Sequence, residues 1–155
     1  MVFIPRDPVM QNQFLAHDSA AGSTATAGSV VYLSGDELVA VVTGTNTAPY
    51  GFLMQSVKAE SSAHPTGFRL PGDLGSSDAF TGDPVGVAHL GLYDTTRYNT
   101  ATTYTAGTSL TTGAGGIVTP TGVSQVNATI VAVCQNTLTA AAVAAGQKLR
   151  VKLLI

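Results

Sequence analysis

Six residues, Thr26-Ala27-Gly28-Ser29-Val30-Val31, are answered 79 positions later by Thr105-Ala106-Gly107-Thr108-Ser109-Leu110. In both, a small polar step with a glycine leads into the start of an apolar run. The neighbourhood repeats as well. Asp83-Pro84-Val85 answers Asp7-Pro8-Val9 and Asp94 answers Asp18, both at an offset of 76. Val118 answers Val39 at 79, Ile130 to Gln135 answers Tyr50 to Gln55 at 80, and Leu149-Arg150-Val151 answers Phe68-Arg69-Leu70 at 81. The order is kept and the offset drifts one way, as small loop insertions produce. The period is too long for a solenoid repeat. We expect a tandem duplication that divides the chain into a first β unit, 1–78, and a second, 79–155. The two would lie side by side about a pseudo-twofold, or pack as one compact domain.

The repeated segments read as strands and turns. Val30-Val31-Tyr32-Leu33 is a strand, Ser34-Gly35-Asp36 its turn, and Leu38 to Val42 the returning strand of a hairpin. Tyr50 to Met54 is a third strand and Gly67 to Leu70 a short fourth. In the second half Thr111 to Gly116 is the expected hairpin turn, and residues 95–107 read as a long polar loop. The halves differ in two places. Thr139, an alanine-rich run and Gly146 read as a capped two-turn helix, whereas Pro65 occupies the corresponding part of the first half. The last strand, Lys148 to Leu153, alternates strictly: Leu149, Val151 and Leu153 fall on one face and three positive charges on the other. That charged face is a solvated sheet face or a meeting place for an acidic partner.

Pro5 and Pro8 forbid a helix at the start and leave an extended arm unable to sit in the centre of a sheet. The expected fold is therefore mainly β. It comprises two similar small β-barrel or sandwich units, an extended N-terminal arm and a short Ala-rich helix near the C-terminus.

Composition narrows the function. Charged residues are 10% of the 155 and the formal net charge is −2, against roughly a quarter charged in an average domain. No clustered basic face is available for nucleic acid. No apolar run approaches the roughly 18 residues of a membrane span, and Met1 to Asp7 lacks the pattern of a signal peptide. The expectation is a soluble protein, made in a cytoplasm, with neither nucleic acid nor membrane as partner. Cys134, the single cysteine, lies in an apolar run and reads as a buried inert thiol.

Chemistry is sparse. His17, His64 and His89 lack metal-site spacing. Asp73, Asp78 and Asp83 recur every five residues in a Gly-rich connector, where capping and Asx turns account for them better than calcium. No nucleophile elbow, P-loop or dinucleotide fingerprint occurs. Asn127-Ala128-Thr129 matches the glycosylation triplet, without a signal peptide to use it. The expectation is no enzyme activity, no cofactor and no metal.

The repeated Thr-Ala-Gly-[Ser/Thr] strand, the Gly-Asp hairpin and the closing Gly146-Gln147-Lys148-Leu149-Arg150-Val151 resemble the head cement, or decoration, proteins of tailed bacteriophages. The likeness is one of overall character and covers most of the chain. It implies a non-enzymatic virion structural protein on the capsid exterior, made in the host cytoplasm, that stabilises contacts between capsomers. The implied partners are the major capsid protein and the chain itself, as trimer or dimer; an internal pseudo-twofold favours a monomer or dimer at a twofold. The arm, with Phe3, Ile4, Pro5 and Arg6, is the candidate capsid contact, by strand addition to a neighbour. The alternatives are another tail, neck or fibre component, or a glycan-binding surface module.

Overall fold

The computed structural model describes residues 3–5, 11–17, 24–36, 38–45, 47–58, 78–80 and 83–155. Among them the chain is mainly β, with one short helix, α1 (Ala140–Ala144). Alternating side chains explain the strands. In β12 (Leu149–Leu153), Leu149, Val151 and Leu153 are 0–1% exposed, while Lys152 faces solvent. Capping explains the helix. The Thr139 hydroxyl accepts the Ala142 N–H, and Gly146 leaves the helix at φ 67°, the conformation in which a glycine avoids a Cβ clash.

The Thr-Ala-Gly steps form the same turn twice. Ser29 N–H donates to Thr26 O at 3.1 Å, and Thr108 N–H to Thr105 O at 3.1 Å. Gly28 and Gly107 have φ of 87° and 88°. Each turn opens a strand, β3 (Val30–Gly35) or β9 (Ser109–Gly113), flanked by two others. β3 lies between β4 (Leu38–Val41) and β5 (Gly51–Leu53). β9 lies between β10 (Val118–Pro120) and β11 (Gln125–Cys134). The registers coincide. Val31, Tyr32 and Leu33 face Val41, Ala40 and Val39, while Leu110, Thr111 and Thr112 face Pro120, Thr119 and Val118. Val30 faces Phe52 and Ser109 faces Val133. The third strands therefore correspond at 81 positions, not the 80 read from sequence. That matters because a one-residue slip turns every side chain to the other face. The expected turn at Thr111 to Gly116 is shorter: Thr111, Thr112 and Gly113 belong to β9, and only Ala114–Gly116 turn, as a 3₁₀ segment. Buried Thr111 and Thr112 have a β-branched shape that suits a strand interior.

The longest strand, β8 (Pro84–Thr95), was not marked as one by sequence, and it organises the molecule. Its first half pairs with β2 (Gln11–His17), Val87 facing Gln13, and with β5, Val87 facing Leu53. β2 pairs in parallel with β4, and β4 with β3. The pairings thus run in a ring, β8–β2–β4–β3–β5–β8. The second half of β8 pairs with β12, Tyr93 facing Val151; β12 pairs with β11, and β11 with β9. Tyr98, just past the end of β8, bridges Val118 of β10 in parallel and brings the second series back to its start. The two series of strands hold β8 in common. Between its two roles β8 carries an extra residue, His89, where Asn12 and Gln11 face Ala88 and Leu90. Gly91 follows with φ 124°. A bulge and a glycine bend a strand at such a point. Val85 and Val87, beyond residue 78 in sequence, therefore wall the ring of first-half strands.

Two apolar clusters fill the rings. One joins Val31, Val39, Leu53, Val85 and Val87 to Val57 and Ala79. These last belong to a small parallel pair, β6 (Ser56–Lys58) and β7 (Asp78–Phe80). The larger cluster runs from Leu110, Val118, Leu149 and Val151 to Phe52, Val30 and Phe3.

Phe3, expected on an extended arm, lies in a strand of the sheet. β1 (Phe3–Pro5) pairs antiparallel with the end of β8, Phe3 facing Thr95 and Pro5 facing Tyr93. The Phe3 ring is 9% exposed and stacks on Tyr93 at 4.4 Å and Phe52 at 5.8 Å. An aromatic anchor of this area gains more in its own core than in water. The segments at 7–9 and 67–70, Asp18, Pro65 and Arg6 lie outside the described residues.

Candidate functional site

The residues singled out for chemistry are scattered. His64 and Asp73 lie outside the described residues, and His17 stands in β2. His89, on the β8 bulge, meets the Tyr50 ring edge-on at 4.8 Å. Its Nε2 is buried without a hydrogen-bond partner, and burial holds its pKa below the usual histidine value against a backbone hydrogen bond to Tyr50. Asp78 pairs with Lys58. The Asp83 carboxylate accepts the Phe80 N–H at 3.2 Å, turn work of the kind expected of an Asp beside breakers. Among the described residues no three His, Cys, Asp or Glu side chains group to hold a metal. Cys134 is buried, donates to Asn136 O at 2.8 Å, and has its thiol pKa pushed up by burial.

Sequence reasoning missed the polar groups that join the two rings. Arg97 follows β8, and its side chain reaches both halves. Nε donates to the buried Ser29 hydroxyl at 3.2 Å, and Nη2 donates to Gly115 O at 2.8 Å. Asn127, 4% exposed, donates from Nδ2 to Thr47 O at 2.6 Å and Gly44 O at 3.2 Å, and its Oδ1 accepts Thr129 N–H. The glycosylation triplet is thus a clasp whose amide is already engaged. Within the supposed polar loop at 95–107, Tyr98 and Tyr104 are 4% and 1% exposed and pack edge to face at 5.4 Å. The Tyr104 hydroxyl lies within hydrogen-bond reach of Asn99 O and Val118 O. The partners that join the halves, Ser29 for Arg97 and Gly44 and Thr47 for Asn127, are 68, 83 and 80 residues away, so no local pattern announces them.

Open clefts are found among the described residues. Tyr32, Leu33, Thr47, Ala48, Pro49 and Tyr50 line one; Thr100 to Thr103 and one side of α1 line another. Neither lining brings together the acid and base, or the nucleophile and base, that general catalysis needs.

The exterior is more distinctive. On β12 the outward residues are Arg150 and Lys152, with Lys148 exposed just before the strand. Arg150 Nε meets Asp94 Oδ1 of β8 at 3.0 Å. The exposed large apolar residues among those described are Leu33, Leu90, Val123, Ile130 and Leu154. Among the described residues no helix is long and apolar enough to cross a membrane. The arrangement offers contact surface and internal bracing. No family model matches the chain, and no curated protein matches it.

Proposed function

We propose that the chain is a non-enzymatic structural protein of a tailed-phage virion. In this reading it binds the outer surface of the capsid as a cement protein and stabilises contacts between capsomers. One observation carries it: the polar side chains with several partners are turned inward as bracing. Arg97, Asn127 and Tyr104 tie strand to strand or ring to ring, while the exterior is charge-poor sheet and turn. A braced body with a weakly charged surface suits a part used in many copies, where each contact is weak and the shell multiplies it. We further propose that the two rings descend from an internal duplication, because turn, glycine conformation and register recur together.

With Phe3 stacked inside, contact through the N-terminal segment would require β1 to leave β8. Strand exteriors and turns are the more economical capsid-facing surface. The test is addition of the purified protein to expanded, undecorated shells. Specific binding and a raised bursting temperature are expected; absence of binding overturns the reading. Location within purified particles separates a capsid role from a tail, neck or fibre role. The Tyr32–Tyr50 cleft is the feature that favours a glycan-binding module instead, and a specific hit on a glycan array would establish it.

A further inference from the structure

On the outward face of β8, β12 and β11 the Arg150–Asp94 pair joins two strands, and Lys152 and its neighbours lie beside it. Residues directly opposite on adjacent strands share a face. Lys152 is opposite Leu92 on β8 and Val133 on β11, so one cation stands in a row between two partly exposed apolar side chains. On β8 and β12 the next row is apolar. Leu154, 46% exposed, donates its N–H to Val131 O. Leu90, 48% exposed, precedes the Gly91 that faces Leu153, and so comes opposite Leu154. The inward residues of β12 already fill the core, so the outward ones are not there for packing.

Charge decides what fits. Asp94, the acid facing β12, has a side chain only 10% exposed and holds Arg150. Lys148 and Lys152 are exposed and carry no ion pair among the described residues. A second copy seated face to face would set lysine against lysine, which disfavours association. We propose that this face docks an acidic partner protein. An apolar side chain of that partner lies between Leu90 and Leu154, with its carboxylates against Lys152 and Lys148. The proposal rests on the capsid reading, in which the partner is the outer surface of a capsid subunit.

The test uses the full chain and expanded, undecorated shells in co-sedimentation at low and high salt. Lys152→Glu and Leu154→Asp alter exposed side chains; their folding is checked by thermal melting. Wild type and Lys152→Arg are expected to bind, more weakly at high salt. Lys152→Glu and Leu154→Asp are each expected to lose roughly tenfold in affinity. Leu33→Asp, on β3, is expected to bind as wild type does. Unchanged binding by Lys152→Glu and Leu154→Asp overturns this face and leaves the capsid reading standing. Failure of the wild type to bind overturns both. A dimer in light scattering that Leu154→Asp dissolves makes a second copy the occupant and overturns the acidic partner.

Discussion

Gly28 and Gly107 share one backbone conformation, φ 87° and 88°, in different surroundings. A Cβ on Gly28 would lie 2.9 Å from Thr95 Oγ1 and 3.0 Å from Arg97 Cβ, whereas one on Gly107 would meet nothing within 4 Å. Gly107→Ala therefore carries the left-handed strain alone, about 1–2 kcal/mol. Gly28→Ala adds overpacking against the seam, for a total of about 2–4 kcal/mol. Chemical denaturation of the two variants checks the difference. Equal losses would mean that the Gly28 turn is not closed over as described.

Arg97 is the brace between the rings. Truncation to Ala removes both of its hydrogen bonds and leaves the Ser29 hydroxyl, in a residue 0% exposed, without its donor. A loss of about 2–3 kcal/mol is expected. Arg97→Lys recovers only part of it, because an ammonium does not reproduce the guanidinium fork. Urea unfolding of the three proteins gives the ranking.

Asn127 uses its amide N–H groups on two carbonyls, so exchange for an acceptor is worse than removal. Asn127→Ala is expected to cost about 1–3 kcal/mol, and Asn127→Asp more, because it sets a carboxylate against carbonyl oxygens. Melting temperatures at neutral pH report the order. An aspartate variant as stable as the alanine variant would remove the clasp from the account.

His89 makes stability depend on pH. Its folded pKa lies below the unfolded value because burial disfavours the imidazolium. Above the unfolded value, about 6.5, both states are neutral and the residue contributes no slope. As pH falls below it, the unfolded chain takes the proton first and stability drops, levelling off only once pH is below the folded pKa. His89→Gln is expected to flatten the dependence between pH 7.5 and 5 relative to wild type. The urea midpoint followed across that range is the measurement, and identical slopes would exclude His89 as their source.

Local rules carry well where partners are near in the chain. Thr139 and Gly146 bound the helix because capping is a contact across a few residues. Leu149, Val151 and Leu153 announce a buried face by alternation alone. β8 escaped because it changes duty midway. Pro84, Gly86 and Gly91 read as breaks, Val85 to Ala88 are buried without alternation, and the His89 bulge resets the pattern. Arg97 and Asn127 escaped for a different reason: Ser29 is 68 residues from Arg97, and Gly44 is 83 from Asn127. The basic outward face of β12 was legible, but its apolar neighbours Leu92 and Val133 emerge only with cross-strand register. Phe3 was legible as apolar and extended; that it turns inward depends on Tyr93 and Phe52, which offer a stacking site only once the sheet exists.

The strand common to both rings bears on how the molecule comes apart. Melting the first ring frees Val85 and Val87, and with them the lead-in to Tyr93, which the second ring needs. With β8 shared, heat or denaturant is expected to meet a single cooperative step. A chain cut near residue 78 would hold β2 and β5 without the wall between them. Either half taken alone therefore loses strands that its own pairings require: the first loses β8, and the second loses β2 and β5 from the start of β8.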